Sequence, residues 1–455
     1  PLGLCFALAA ACRERDGSGR GAGLGKLWAL DATGGAAGVL FFGLWGIWHL
    51  GLMNCLGLMA GAKILAALLA MFHKPSAPRP APAALQGFAL LGAELIWSRL
   101  LSFTLYRGST TFALSSMLAT VLLASALGAR WASRGPADAE TAWQRLRLSA
   151  ALCALSLLAS LGLLLLAQPV AGQGALSAVD LLLTLAVCGP AAFFSGAAFA
   201  AACRASRSPS EQTAGGLLAA NALGAMAGAF LAPLVFVPAL GLSASLGLLA
   251  ALCLLGSALL ERGSPRQQAP RWILRFSAIP LALALILAGP TWTRHLGTVL
   301  FYEEGRDASV AVVEDPPGVR RLIVDGIAVA GTDLALVTDQ KMLAHLPMLL
   351  RPGARRVLSV GFGAGGTSRA FLLHPDGKVD CVEICESVPR AAAHLREVNG
   401  GLPDKGPDRF RLHLADARRF LDESGERWDL IVNDCTDLAY RSDASLYTLD
   451  FFRTI

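Results

Sequence analysis

The sequence predicts a multi-pass α-helical membrane domain followed by an α/β domain with a parallel, doubly wound sheet. Three observations lead to this fold class. The 455 residues are 54% hydrophobic and only 16% charged, which is too apolar for one ordinary soluble domain. Hydrophobic runs long enough to cross a bilayer fill the first part of the chain. Short β-type runs then alternate with helical ones towards the C-terminus.

The two parts also differ in net charge. Residues 1–298 contain 20 Lys and Arg against 9 Asp and Glu, whereas residues 299–455 contain 19 against 24. Basic loops between apolar runs are typical of membrane helices, so the excess positive charge needs no nucleic-acid partner and we predict none. The ten cysteines are scattered without a spacing that suits zinc. We therefore predict reduced thiols and no metal site.

Nine apolar runs of roughly 20 residues predict membrane-spanning helices, with the lipid bilayer as partner and the inner cell membrane as location. Charged loops separate alternate pairs of runs and face the cytoplasm under the positive-inside rule. The side of the α/β domain stays open: it lies outside if the last run spans the membrane, and inside if that run lies flat or re-enters. The nine runs are 29–48, 50–72, 86–106, 110–130, 146–167, 176–203, 214–238, 241–260 and 272–290.

An internal repeat predicts how these helices are arranged. Residues 27–34 align with residues 217–224 at an offset of 190, a length that holds about six helices. Two parallel six-helix halves are the plan of major facilitator transporters, which this part of the chain resembles. The expected segments are the end of one half at 1–72, a Pro-rich linker at 73–85, a second half at 86–262, and a final hydrophobic segment with its linker at 263–298.

Glu94 lies in the middle of an apolar run beside Trp97 and Arg99. An ionised group within a bilayer is expensive, so it usually faces a partner or a cavity. Two interpretations stay open. Glu94 forms a structural pair with Arg99 or with another helix, or it belongs to a solute pathway.

The α/β part begins with a small β-hairpin subdomain at 299–350, because Asp315-Pro316-Pro317-Gly318 joins two β-type runs. Residues 351–455 then alternate between strand and helix, which predicts a parallel nucleotide-binding domain. We expect this domain to be incomplete, truncated at Ile455, and the chain to continue before Pro1. The predicted strands are 309–313, 321–324, 357–360, 379–383, 410–414 and 430–432, and the predicted helices are 367–373, 388–398 and 417–421.

A glycine-rich turn follows the first parallel strand and contains Gly361, Gly363 and Gly365. Such a turn lets the backbone approach a nucleotide closely, although it can also be no more than a tight turn. Glu383 ends the next strand about 20 residues on, where a carboxylate can accept hydrogen bonds from both ribose hydroxyls. The two features together favour a nucleotide site.

Further acids follow the later strands: Asp416 after the third, and Asp434 and Asp437 after the fourth. The carboxyl ends of parallel strands meet at one edge of a sheet, so these acids are expected to point into one crevice. Paired carboxylates suit a cationic substrate, because one can accept an amine proton while the other holds an ammonium group. The structural alternative is an Asx turn with helix-capping acids.

Residues 301–455 resemble the polyamine aminopropyltransferases, the spermidine synthase family. The helical part resembles the integral-membrane members of that family, in which a facilitator-like bundle precedes the synthase domain. The segments that carry the resemblance are Val324-Asp325-Gly326, Met342 to Pro347, Val382-Glu383-Ile384, Asp434 to Asp437 and Ser445-Leu446-Tyr447, and in the helical part Glu94 to Arg99, Ala126 to Gly128 and Ala219 to Ala225.

The resemblance implies a Rossmann-like, S-adenosylmethionine-dependent transferase domain and an in-line displacement. An amine such as putrescine or another polyamine attacks the carbon next to the sulfonium of decarboxylated S-adenosylmethionine and releases methylthioadenosine. The implied roles are ribose binding for Glu383, adenine binding for Asp416, substrate contact for Gln340, proton acceptance for Asp434 and amine binding for Asp437.

Several positions depart from the family pattern. The glycine turn of the family usually carries an acid where Ala364 stands, and that acid contacts the aminopropyl ammonium. Acids of the family are also replaced at Lys341 and Cys385, and Asp339 takes the place of a tyrosine. Nucleotide binding is thus better supported than aminopropyl transfer.

Two other functions stay open. One is a methyltransferase that uses intact S-adenosylmethionine, which Ala364 would admit because it does not repel the carboxylate. The other is a transporter whose soluble domain senses or modifies a polyamine-like solute. A homo-oligomer also stays open, because the sequence does not determine the oligomeric state.

Overall fold

The chain forms two compact units, one built from helices up to residue 261 and one formed mainly by the residues from 297 onward. The predicted runs 29–48, 50–72 and 272–290 lie outside the described residues. The computed structural model describes residues 81–106, 110–134, 139–167, 177–205, 211–261, 297–402, 408–435 and 446–455.

The described part of the helical unit consists of long helices that coincide with the predicted hydrophobic runs. Four stretches are apolar and long enough to cross a membrane, judged by length and composition: Thr110–Ala132, Glu140–Leu166, Ala178–Ala205 and Gly216–Cys253. The helices are α1 (Ala81–Thr104), α2 (Thr110–Ala132), α3 (Ala139–Ala167), α4 (Ala178–Ala205), α5 (Glu211–Leu231) and α6 (Val237–Glu261).

The Pro-rich linker ends earlier than the predicted boundary at residue 85. Helix α1 already begins at Ala81 and includes Pro82 in its first turn. Proline is tolerated there, because the N–H that it lacks would have no partner within the helix. The predicted linker at 73–85 is therefore helical from Ala81 onward.

Glycines bring neighbouring helices of this unit into backbone contact. A Cβ atom at Gly128 of α2 would overlap the carbonyl group of Phe193 in α4, and one at Gly224 of α5 would overlap that of Ala84 in α1. Small residues permit such close approach, which is how helices commonly associate where lipid supplies no hydrophobic driving force. Pairs α2/α4 and α1/α5 thus pack through glycine.

The α/β unit begins with a four-stranded antiparallel sheet in the order β1-β2-β3-β4. The predicted hairpin is confirmed as β2 and β3, and β1 and β4 extend it on both sides. Asp325 and Gly326 join β3 to β4 with φ values of 45° and 89°, as a tight hairpin turn requires. The strands are β1 (Thr298–Glu304), β2 (Ser309–Asp315), β3 (Val319–Val324) and β4 (Ile327–Gly331).

A second, parallel sheet follows, with the order β7-β6-β5-β8. All its pairs are parallel, which confirms the predicted sheet. Helix α7 (Leu334–Leu350) connects the two sheets. The strands are β5 (Arg356–Val360), β6 (Lys378–Glu383), β7 (Phe410–Leu414) and β8 (Leu430–Asn433). The helices are α8 (Gly366–Leu372), α9 (Ser387–Ala392), α10 (Arg396–Asn399), α11 (Ala417–Ser424) and α12 (Leu449–Thr454).

The single helix predicted for 388–398 is interrupted. A 3₁₀ turn at Ala393–Leu395 separates α9 from α10, and Leu395 leaves helical geometry with φ −119° and ψ 33°. The guanidinium of Arg320 donates a hydrogen bond of 3.0 Å to the carbonyl oxygen of His394. This carbonyl is therefore engaged by the antiparallel sheet, a tertiary contact that the local pattern does not contain.

Alternating side chains of the parallel sheet bury both of its faces. Val357 packs in the core that contains Phe371 of α8, whereas Leu358 packs in the core that contains Ala417 of α11 and Phe451 of α12. The sheet is therefore doubly wound. Its strand order reverses at β5, which places the turn after β5 at the topological switch point where such folds bind ligands.

Candidate active site

Three strand ends converge around the glycine turn at the switch point. The N–H of Gly361 donates to the carbonyl oxygen of Val382 at 2.8 Å, and the N–H of Asp434 donates to that of Val360 at 2.8 Å. These backbone hydrogen bonds continue the parallel pairing beyond the ends of β5 and β8, next to the end of β6. The residues that follow these strands therefore share one crevice.

The backbone of the glycine turn has a conformation that is unfavourable for residues other than glycine. Gly361, Gly363 and Gly365 have φ values of 96°, 52° and 81°, a left-handed region that glycine adopts without strain. A Cβ atom at Gly361 would also lie only 3.0 Å from Sγ of Cys435. The turn therefore presents bare backbone to the crevice, as a nucleotide-binding turn requires.

Glu383 ends β6 and clamps the glycine turn. Its side chain is buried; Oε2 accepts the N–H of Phe362 at 2.9 Å and Oε1 accepts the N–H of Cys385 at 2.9 Å. Burial raises the pKa of Glu383, and the backbone N–H groups of Cys385 and Phe362 oppose that increase. The backbone N–H groups of Ile384 and Gly363 also favour the charged carboxylate.

Asp434 lies across the turn from Glu383. The carbon atom Cβ of Asp434 is 3.7 Å from the position that a Cβ of Gly361 would take. Removal from water, the largest cause, raises the pKa of Asp434 to about 7; the Thr367 hydroxyl opposes this shift and the negative charge of Glu383 adds to it. A carboxyl with a pKa near 7 exchanges a proton at neutral pH, which is what a general base does.

Gln340 reaches the same turn from α7. Its buried side chain accepts the N–H of Gly366 at Oε1, at a distance of 3.1 Å. The amide nitrogen Nε2 is buried and has no hydrogen-bond partner among the described residues. An unpaired buried donor costs about 1–3 kcal/mol, and the predicted substrate contact of Gln340 would satisfy this one.

Asp416 behaves differently from the other predicted acids. Its exposed side chain accepts the N–H of Arg419 at 3.0 Å and caps α11. The structure thus brings together the three glycines, Glu383, Asp434 and Gln340, and leaves Asp416 at the neighbouring strand end as a helix cap. Asp437 lies outside the described residues.

Asn399 supports the site and is absent from the residues predicted from sequence. Its fully buried amide nitrogen Nδ2 donates to the carbonyl oxygens of Ala364 at 2.9 Å and Ala392 at 2.8 Å, and its Oδ1 accepts the N–H of Gly401 at 2.8 Å. The Asn-Gly-Gly sequence signals a turn, but it does not reveal that the same side chain fixes a loop 35 residues away.

Ala364 places a methyl group inside the glycine turn. It is 1% exposed and packs with the core around Phe371. The turn itself therefore offers no carboxylate to a substrate ammonium group. Within the ranges that the structure describes, no three His, Cys, Asp or Glu side chains come together in a way that could hold a metal ion.

Comparison with known proteins supports the C-terminal part of this description. Residues 337–455 match the spermine/spermidine synthase domain family. A polyamine aminopropyltransferase of Sodalis glossinidius is 31% identical over 157 residues, which cover 34% of this chain and 53% of that protein. That of Korarchaeum cryptofilum is 33% identical over 114 residues, 25% of this chain and 35% of that protein. The C-terminal part is thus similar to spermidine synthases over residues 337–455.

Solved structures of spermidine synthases are also similar to part of this chain. A spermidine synthase in complex with the transition-state analogue AdoDATO is 27% identical and covers 34% of this chain and 53% of that chain, with a TM-score of 0.32. The spermidine synthase of Thermotoga maritima is 28% identical over 34% and 52%, with a TM-score of 0.31. The chain spans about half the length of the curated relatives first compared.

Proposed function

We propose that this protein is a membrane-anchored aminopropyltransferase of the spermidine synthase type. It transfers an aminopropyl group from decarboxylated S-adenosylmethionine to a small amine such as putrescine. The observation that carries the proposal is the convergence of Glu383, Asp434 and the glycine turn at the switch point of a sheet whose residues match a spermine/spermidine synthase domain.

The residues of the crevice fit an adenosyl group. Glu383 lies at the glycine turn with its carboxylate held by backbone N–H groups, and it is our proposed acceptor for the ribose hydroxyls. Gln340 has a buried amide donor without a partner among the described residues. Asp416 follows the next strand, and its Oδ1 accepts a hydrogen bond from α11. We propose that its other carboxylate oxygen, Oδ2, contacts adenine.

The proposed chemistry assigns Asp434 to the amine. The amine nitrogen forms a bond to the carbon next to the sulfonium, the carbon–sulfur bond breaks, and methylthioadenosine leaves with the electron pair. The nitrogen then carries one proton too many, which the Asp434 carboxylate accepts because its pKa of about 7 matches neutral conditions. Asp437 is proposed to hold the distant ammonium group.

The helical unit is proposed to anchor the enzyme in the inner membrane as a multi-pass, facilitator-like bundle. The four long apolar stretches and the basic loops between the hydrophobic runs support this proposal. Glycine-mediated contacts between α2 and α4 and between α1 and α5 are also typical of helices that pack in lipid.

A second candidate function, methyl transfer from intact S-adenosylmethionine, is favoured by Ala364. A carboxylate at that position would repel the donor's own carboxylate, whereas the methyl group of Ala364 does not. Donor identity therefore separates the two activities.

The test is to supply the purified chain, in detergent micelles, with each donor in turn plus putrescine, and to quantify the thioether product. Methylthioadenosine formation from the decarboxylated donor that Asp434→Asn abolishes supports the proposal. S-adenosylhomocysteine formation instead supports methyl transfer. Calorimetry accompanies both assays, and the absence of heat with either donor and with methylthioadenosine contradicts the adenosyl site itself.

A further inference from the structure

Glu94 is a buried carboxyl group of the helical unit that the proposed transferase does not use. It lies beyond the middle of α1 and is 8% exposed. No hydrogen bond or ion pair from the described residues reaches its carboxyl group. An ionised carboxylate in such surroundings is costly without a partner. The group must therefore carry a proton or hold a cation.

The pair with Arg99 that the sequence allowed is not formed. Five residues along an α-helix turn the side chain by about 140°, so Glu94 and Arg99 point to different sides of α1. The donors nearest to Glu94 along α1 are also engaged elsewhere. Trp97 donates through Nε1 to Oγ of Ser160 in α3 at 3.0 Å, and Ser98 donates through Oγ to the carbonyl oxygen of Leu95 at 2.8 Å.

The titratable group that faces Glu94 from another described helix is a thiol. Cys188 of α4 is fully buried and close enough to interact electrostatically with Glu94. A thiol is a weak donor and supplies no positive charge. Among the described residues, no group of three His, Cys, Asp or Glu side chains is placed to hold a metal ion. An alkylammonium ion, with an apolar chain and one compact charge, fits these surroundings better.

Helices close to Glu94 depart from regular geometry. Pro190 lies within α4, two residues after Cys188, and its ring leaves one backbone hydrogen bond of the helix unmade. A π-helical segment at Ala232–Phe236 joins α5 to α6, and Gly241 within α6 has φ 81°. The start of that segment packs on α1, because a Cβ at Gly92 would lie 3.5 Å from Cβ of Ala232. Prolines and π-helical segments are where helices bend, and π-helical segments recur at functional sites.

We propose that Glu94 is the ligand-binding carboxyl group of a cation site within the helical unit, whose ligand is a small organic ammonium ion. In the free protein the carboxylic acid keeps its proton. When the ammonium ion binds, the O–H bond breaks, the proton leaves to solvent and the carboxylate pairs with the cation. The exchange conserves charge within the bundle, which is why the buried site tolerates it. The inference does not depend on the transferase activity.

The first experiment measures proton release in weakly buffered detergent solution when butylammonium chloride, whose cation has an apolar chain and a single ammonium group, is added to the full chain at neutral pH. We expect about one proton per chain, and the same release from Asp434→Asn, which disables the proposed transferase site. Glu94→Gln should abolish the release, because glutamine has nearly the same shape and cannot ionise. Glu140→Gln, an exposed acid at the start of α3, is the matched control and should release as the unmutated chain does.

The second experiment records infrared difference spectra of the unmutated chain and of Asp434→Asn, because the Asp434 carboxyl also titrates near neutral pH. In both chains butylammonium should remove a carboxylic acid carbonyl band and add a carboxylate band. Two results overturn the proposal: proton release that survives Glu94→Gln, and an Asp434→Asn chain whose carboxylic acid band does not respond to butylammonium. If transfer fails while release persists, only the proposed function is lost.

Discussion

The ends of β6 and β7 are neighbours in one sheet and each carries an acid, Glu383 as the last residue of β6 and Asp416 two residues after β7, yet the two acids do different things. Glu383 is buried and holds the glycine turn through the N–H of Phe362, whereas Asp416 is exposed and caps α11. β6 pairs with β5 on one side and with β7 on the other, whereas β7 lies at the edge of the four described strands. The burial of an acid at a strand end thus depends on whether that strand has neighbours on both sides.

The largest expected effect follows from replacing Glu383. Glu383→Ala leaves the buried N–H groups of Phe362 and Cys385 without an acceptor, and it removes the proposed ribose contact. Hydrogen bonds to a charged group contribute about 1.5–3 kcal/mol each, so methylthioadenosine affinity should fall by about 100-fold or more. Calorimetry measures the affinity.

A matched pair of variants keeps this prediction falsifiable. Glu383→Gln retains one acceptor oxygen and should lose less affinity than Glu383→Ala. Thermal unfolding of both variants distinguishes a weakened site from an unfolded domain. If a folded Glu383→Ala variant binds methylthioadenosine as tightly as the unmutated chain does, Glu383 is not part of the binding site. The proposed difference in role between Glu383 and Asp416 is then wrong.

The next effect concerns pH and Asp434. An unfolded Asp has a pKa near 3.9, and the folded value is about 7. Because the folded pKa is higher, stability is greatest below the unfolded pKa and falls as pH rises from about 4 to 7. Asp434→Asn should therefore match the unmutated chain near pH 4 and exceed it at pH 8 by about 1–2 kcal/mol, a reduced value because the side chain is only partly buried.

Differential scanning fluorimetry of both chains across this pH range provides the measurement. Titrations of other groups cancel in the difference between the two chains, so the expected signature is a gap in melting temperature that opens between pH 4 and 7. A gap that is constant with pH would show that Asp434 is not the titrating group. The rate of transfer by the unmutated chain should rise through the same interval.

The smallest effect is expected at Asp416. Asp416→Ala removes the cap of α11 and should lower stability by about 1 kcal/mol. We expect methylthioadenosine affinity to fall by less than about fivefold, because an exposed contact contributes little. Asp416→Asn retains an oxygen for the cap and separates the two roles. A loss as large as that of Glu383→Ala would instead make Asp416 an equal partner in the site.

Some of the site could be predicted from sequence because it depends on local pattern. The strand before Gly361, the acid at the end of β6 and the acid after β8 are all visible as residue types at strand ends. The break in the predicted helix 388–398 was not visible. It coincides with a hydrogen bond from Arg320 of the antiparallel sheet to the carbonyl oxygen of His394, and the local pattern does not contain that contact.

A second acid of β6 shows why the remainder could not be predicted. Asp380 lies within the strand, where its carboxylate accepts hydrogen bonds from His413 at 3.0 Å and Trp428 at 2.9 Å. Burial raises the pKa of Asp380, but the bonds from His413 and Trp428 outweigh burial and lower it. Both donors are more than 30 residues away, so no local pattern distinguishes this satisfied acid from the acid that ends the strand.

The sequence by itself determined the apolar helices, the parallel strands and the glycine turn, because hydrophobic periodicity and glycine content act over a few neighbouring residues. Only the tertiary structure decided which polar groups are buried and which are satisfied. Gln340 and Asn399 reach the turn from 26 and 35 residues away, and Glu94 is left without a partner among the described residues. Burial and hydrogen bonding depend on which elements meet in space, and adjacency along the chain does not specify that.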